Sequence, residues 1–94
     1  MLKVHRVGDF NSAGGRIISG DNTMIIEGRP VAPIGSPVSP HKPCPEVKKH
    51  CKAKTAEGTN SFYVNGKKVT IETNKDTCGH ERIAGAKSFL VSKS

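Results

Sequence analysis

The segment Gly20-Asp-Asn-Thr-Met-Ile-Ile-Glu-Gly28-Arg-Pro-Val31 lies over a second one, Gly58-Thr-Asn-Ser-Phe-Tyr-Val-Asn-Gly66-Lys-Lys-Val69. Its two glycines stand eight apart in both copies. Between them sits a three-residue apolar run, Met24-Ile25-Ile26 or Phe62-Tyr63-Val64, followed by a two-residue corner, Glu27-Gly28 or Asn65-Gly66. Asn-Gly between extended runs favours a type I′ turn, because both central residues need positive φ. Each copy therefore reads as a β-hairpin. A repeat of this kind governs the fold ahead of local propensity.

The chain ends complete the pattern. Gly85-Ala-Lys-Ser-Phe89-Leu90-Val91-Ser92 matches the incoming half of the hairpin. Val4-His-Arg-Val-Gly8-Asp9 matches the outgoing half, as Val31-Ala-Pro-Ile-Gly35-Ser36 does. Paired together, the two ends make a third hairpin and close a pseudo-threefold ring from one chain. Each outgoing strand leads into an irregular stretch: Asp9 to Gly15, Ser36 to Lys54, and Asn74 to Arg82. A threefold body gathers these stretches at one pole and the hairpin turns at the other. Apart from His5, every Cys and His lies in them: His41, Cys44, His50, Cys51, Cys78 and His80.

Composition bounds the answer. Ninety-four residues, 34% hydrophobic and without Trp, make one small domain spanning 1–94. Apolar burial in a chain this short roughly cancels against the cost of ordering it, about 1.5 kcal/mol per residue, so a metal, disulfides or a partner must help. Ten Gly and six Pro exclude a helical bundle. No apolar run approaches the ~18 residues of a membrane span, and none has the shape of a secretion signal. Fifteen Lys and Arg against eight Asp and Glu give a net charge of +7, which favours anionic partners. Three Cys is an odd number for a disulfide framework, and four His accompany them, so metal ligation in a reducing compartment is the first expectation.

The chain resembles the PAAR-repeat family, the small spike-tip proteins of contractile injection machines. The resemblance rests on Arg6-Val7-Gly8-Asp9, on Gly14-Gly15, on the repeated Gly–apolar–Gly hairpins, and on Cys78-Gly79 before the final strand. It covers nearly the whole chain. Pro30-Val31-Ala32-Pro33 stands where the name-giving Pro-Ala-Ala-Arg would be and departs from it. The segment from Pro40 to Cys51 looks like that of the small phage members, including those of T-even phages. The resemblance implies an all-β cone whose broad base caps a trimeric β-helical spike, one chain per trimer. It also implies a metal ion near the apex, usually zinc with iron as an alternative, held by three His and one Cys. Such a tip sits on the central spike of a phage tail baseplate, assembled in the host cytoplasm, and is driven through the outer membrane of the target cell. A type VI secretion spike is the alternative setting.

A sharp point has too few residues around its axis for an apolar core, and a tetrahedral ion tying three loops together replaces one. Relatives place a ligand His just before the first Gly-Gly, where this chain has Ala13, so the donors must come from the second and third stretches. The expected set is His41, His50, Cys78 and His80, with Cys44 or Cys51 as substitutes for a His. A Cys44–Cys51 disulfide is the other use of those two thiols. His5 falls in a strand and reads as structural. Apolar Met24, Ile26, Phe62, Val64, Phe89 and Val91 alternate along the incoming strands, some facing the axis and some the base that meets the spike.

Lys42, Lys48, Lys49, Lys52 and Lys54 crowd the second stretch against Glu46, which suggests attraction to anionic lipopolysaccharide. A zinc module that binds nucleic acid is the competing class. It lacks a recognition helix and a stacking platform, so no nucleic acid is expected. Nothing forms a nucleophile–base–acid set, and Gly14-Gly15 lacks the Lys-Ser/Thr of a phosphate loop, so the chain does not read as an enzyme.

Overall fold

The computed structural model describes residues 1–42 and 44–92. Six short strands, β1 (Leu2–Lys3), β2 (Asp21–Ile26), β3 (Arg29–Val31), β4 (Tyr63–Val64), β5 (Lys67–Lys68) and β6 (Leu90–Val91), form three antiparallel pairs. A 3-10 turn, Lys48–His50, is the only helical piece among the described residues. β2 pairs with β3 and β4 with β5 across two-residue corners, Ile26 facing Arg29 and Val64 facing Lys67. Both corners take positive φ at both positions, 51° and 82° at Glu27-Gly28 and 48° and 79° at Asn65-Gly66, as a type I′ turn requires. In the third pair, β1 and β6, Leu2 faces Val91 and Lys3 faces Leu90, so the two ends of the chain supply the third arm.

The arms close on one another through their outgoing strands. The His5 N–H donates to the Thr70 carbonyl (3.0 Å), Thr70 to Ala32 (2.9 Å) and Ala32 back to His5 (3.0 Å). Around this triangle, Val4 bridges Ile71, Val31 bridges Arg6, and Val69 bridges Pro33. His5, Ala32 and Thr70 are all wholly buried, as are Val4, Val31 and Val69. Each outgoing strand then makes the same tight turn. Arg6 N–H donates to the Asp9 carboxylate (2.7 Å) and Ile71 N–H to the Asn74 side-chain oxygen (2.8 Å). Pro33 has no N–H, and there the Ser36 hydroxyl donates instead to the Pro33 carbonyl (2.7 Å).

The glycines that open each repeat have a steric cause. A Cβ on Gly20, Gly58 or Gly85 would lie within 3.0 Å of the carbonyl oxygen of Val31, Val69 or Val4. Past the first of these glycines the incoming strand shifts register between Asp21 and Ile25, and polar groups of all three arms latch neighbouring arms together. The Glu27 carboxylate, on the first corner, accepts from the Ser88 N–H (2.7 Å) and hydroxyl. Asn65, on the second, donates to Asp21 (2.6 Å) and Thr23 (3.1 Å). At the third position the Ser92 carbonyl accepts from Thr59 (2.6 Å) and Ser61 (3.2 Å). The body measures 35 × 23 × 23 Å, with the two equal short axes of a threefold column.

One apolar cluster fills the hairpin half: Val4, Ile26, Val31, Val64, Val69, Ile71 and Ala86, with Leu2, Met24, Phe62 and Val91 packed against it. A second joins Ile17, Ala32, Val38, Ala53 and Cys78. This corrects two expectations about a docking face. Ile26 (5% exposed) and Val64 (6%) point to the axis and are closed off by the core. Met24, Phe62 and Val91 are half-buried, and Phe89 stacks on Phe62 at 5.4 Å between ring centroids. The outward member of each apolar triplet is the middle one, Ile25, Tyr63 or Leu90.

If the three arms are equivalent, it does not matter which one the chain ends interrupt. A circular permutant with a Val91-Asn-Gly-Leu2 junction, opened between Asn65 and Gly66, is expected to fold to the same structure. Amide chemical shifts away from both junctions should be unchanged.

Candidate metal centre

The loops at the far end of the column are shaped by the same threefold pairing. Ile17 bridges Val38, Thr55 bridges Asp76, and Arg82 bridges Asn11. Only the first of these pairs is apolar. The other positions form a buried polar layer. Asn11 donates to the Asp76 carboxylate (2.9 Å), and its own oxygen accepts from the N–H groups of Ala13 (3.0 Å) and Gly15 (2.8 Å). Arg82, 1% exposed, contacts the Asp76 carboxylate at 3.3 Å and donates to the carbonyls of Asp9 (3.0 Å), Gly15 (3.0 Å) and Phe10 (3.3 Å). Burial raises the Asp76 carboxyl above the usual carboxylate range, while Asn11 and Arg82 oppose it. Burial lowers Arg82, while Asp76 and Asp9 oppose that. The pair holds because each partner is hydrogen-bonded as well as charged.

Next to this layer lie His41, His50, Cys78 and His80, whose donor atoms all fall within 4.8 Å of one another. His41 Nε2 is 3.4 Å from His50 Nδ1 and 3.4 Å from Cys78 Sγ. A tetrahedral zinc with bonds of ~2.0–2.1 Å to nitrogen and ~2.3 Å to sulfur has edges of roughly 3.3–3.6 Å, so these separations match its edges. His41 Nδ1 is 2.8 Å from the Ser39 carbonyl. A carbonyl only accepts, so the proton sits on Nδ1 and the Nε2 lone pair faces the other donors, the arrangement that orients ligating imidazoles. His80 Nε2 is buried without a hydrogen-bond partner. Burial, then the neighbouring His80 and His41, lower the pKa of His50. An orphaned imidazole nitrogen, a buried thiol and two further imidazoles, all within 4.8 Å of one another, fit a divalent soft-to-borderline cation.

The structure thus gathers the four expected donors and corrects the picture around them. They come from two loops, the second and third irregular stretches. The first loop acts as a buttress: the Ser12 hydroxyl is 3.4 Å from His80 Nδ1, and a Cβ on Gly15 would lie 2.5 Å from His41 Nδ1. Cys44 and Cys51 are joined in a disulfide, so neither offers a thiolate in this state, and Cys78 is the free cysteine. Of the two uses open to these cysteines in the sequence, ligand substitute or disulfide, the structure has the disulfide. His5 is wholly buried and bonds the Ala84 carbonyl through Nε2 (2.9 Å), a structural place on the axis.

Sequence reasoning missed the Asn11–Asp76–Arg82 layer. Its signal is positional. Arg82 stands three before Gly85, as Ile17 does before Gly20 and Thr55 before Gly58. Extending the repeat by one layer would have placed a charge where the first arm has an isoleucine.

A sequence model of the PAAR motif matches residues 7–84 of this chain. No curated protein matches it.

Two outcomes follow from the buried polar groups. Arg82→Leu strands the Asp76 carboxylate and should cost about 3–5 kcal/mol in urea unfolding, whereas Arg16→Leu, at an exposed site, should cost little. Burial and then Arg82 depress the His5 pKa to about 4. The unfolded chain takes up that proton near pH 6.5 and the folded chain near 4, so stability falls as pH drops through that window. Imidazole nitrogen shifts in the folded protein should show His5 neutral down to about pH 4; a midpoint near 6.5 would contradict its burial.

Proposed function

This chain belongs to the PAAR motif family, and we propose that it is the metal-pinned tip of the central spike of a contractile phage tail. PAAR spike-tip proteins are structural components, not enzymes, and they cap trimeric β-helical spikes. The observation that carries the reading is the closed hydrogen-bond triangle of His5, Thr70 and Ala32. It gives one chain a threefold axis, which is what a single cap needs to seat on a homotrimer.

The two ends of that axis have different chemistry. At one end stand the corners Glu27-Gly28 and Asn65-Gly66 and the paired strands β1 and β6. Strand ends there can extend the last β-strands of the spike by hydrogen bonding, with half-buried Met24, Phe62 and Val91 and the Phe89 edge as the apolar contacts. At the other end, His41, His50, Cys78 and His80 hold zinc in a closed four-ligand site. Structural zinc is worth on the order of 10–16 kcal/mol in small domains, comparable to the whole net stability of about 5–15 kcal/mol typical of a folded domain. The ion therefore does the work that an apolar core does elsewhere. The phage setting is supported by the likeness of the Pro40 to Cys51 loop to small phage tips; a type VI secretion spike would use the same cone, working from the same two poles.

Two measurements test the reading. Purified protein should carry about one zinc per chain by elemental analysis, with chelation lowering the melting temperature by tens of degrees and His50→Ala abolishing uptake. Mixed with the trimeric β-helix of its own apparatus, it should bind one chain per trimer by native mass spectrometry. A metal-free, equally stable protein, or binding at three chains per trimer, would contradict it. Mass spectrometry of purified virions decides the phage setting.

A further inference from the structure

The disulfide Cys44–Cys51 lies in the loop that delivers two of the four donors, His41 and His50. Backbone bonds tie the bridge to both. Cys44 N–H donates to the His41 carbonyl (2.9 Å), and His41 N–H donates to the His50 carbonyl (3.2 Å). Cys51 follows His50 directly and closes the 3-10 turn, its N–H donating to the Lys48 carbonyl (2.9 Å). The bridge and the histidine pair therefore share one small ring of backbone, with a separation of seven residues between the cysteines.

The surroundings of these sulfurs differ from those of Cys78. Cys44 and Cys51 are half-buried, whereas Cys78 is 4% exposed and packed in an apolar cluster. Exposed Lys42, Lys48, Lys49 and Lys52 flank the bridge, and Glu46 is the one acidic residue between the cysteines. A positive field stabilises a departing thiolate and speeds exchange at a disulfide.

We propose that Cys44–Cys51 is a thiol–disulfide exchange site, open to small or protein dithiols, whose closed form holds His41 and His50 in position for the metal. The coupling rests on the metal reading above. In the reduction, a dithiol thiolate attacks one of the two sulfurs and the Cys44–Cys51 bond breaks. A mixed disulfide forms, and the second thiol of the reductant resolves it. The reductant leaves as a disulfide, and Cys44 and Cys51 gain two electrons and two protons as thiols. Linkage makes the effect reciprocal: if the bridge tightens metal binding, the metal stabilises the bridge by the same factor.

The test compares three forms of the full chain: the disulfide form, the form reduced by a phosphine, and the C44S/C51S double variant. Zinc affinity is read by competition with a chromophoric chelator, and thiols by alkylation and mass spectrometry. After reduction, alkylation is expected to label Cys44 and Cys51 quickly and Cys78 slowly. Both open forms should bind zinc at least about tenfold more weakly than the disulfide form, the scale set by closing a short loop. Equal zinc affinity in the three forms, or tighter binding after reduction, overturns the coupling and leaves the metal reading intact. Zinc binding by none of the three overturns both. Resistance of the bridge to dithiols under native conditions overturns the exchange site itself.

Discussion

A column built by one chain must satisfy its backbone around an axis that no helix or wide sheet occupies. Here that requirement falls on three residues, His5, Ala32 and Thr70, each donating to the next in a closed triangle. Buried backbone groups without partners are costly, so the triangle is satisfied only when all three outgoing strands are present. Every other regularity follows from its closure. The opening glycines are needed because the incoming strand passes directly over the carbonyls of Val4, Val31 and Val69. Side-chain hydroxyls then lock each hairpin to a neighbouring arm, with Ser88 on the Glu27 carboxylate, Thr23 on Asn65, and Thr59 and Ser61 on the Ser92 carbonyl.

Along the axis the chemistry changes. Valines and isoleucines fill the hairpin half. Beyond them Arg82 spans the interior, bonded to Asp76 and to three carbonyls. Beyond that come three imidazoles and a thiol whose donor atoms lie within 4.8 Å of one another. Directional bonds among buried polar side chains join the smaller apolar cluster in holding this half together. A buried ion pair adds little net stability by itself, and its value here is positional. Asp76 and Arg82 brace the first and third loops, and with them the third-loop donors Cys78 and His80.

Much of this is legible in the amino-acid order because its causes are backbone causes. Glycine spacing is visible since a Cβ is sterically barred, and the Asn65-Gly66 corner since positive φ is costly elsewhere. The third arm is legible because Gly85 and Val4 repeat the same offsets as the other arms. The four donors stand out because His and Cys are few in this chain. The inward turn of Ile26 and Val64 is hidden, since a three-residue apolar run does not reveal which of its members faces in. Asn11, Asp76 and Arg82 look like ordinary loop polarity until their bridges are known. Cys44 and Cys51 serve equally well as thiolate ligands or as a disulfide by composition, and only their proximity in the folded loop distinguishes the two uses.

Hydrogen exchange at the three axial amides tests the central claim most directly. If the chain closes a threefold ring, the N–H groups of His5, Ala32 and Thr70 exchange at one common rate, the slowest in the protein, because none opens without the others. Fast exchange at His5 alongside protected Ala32 and Thr70 would mean that the first strand does not complete the ring, and the account would fail at its base.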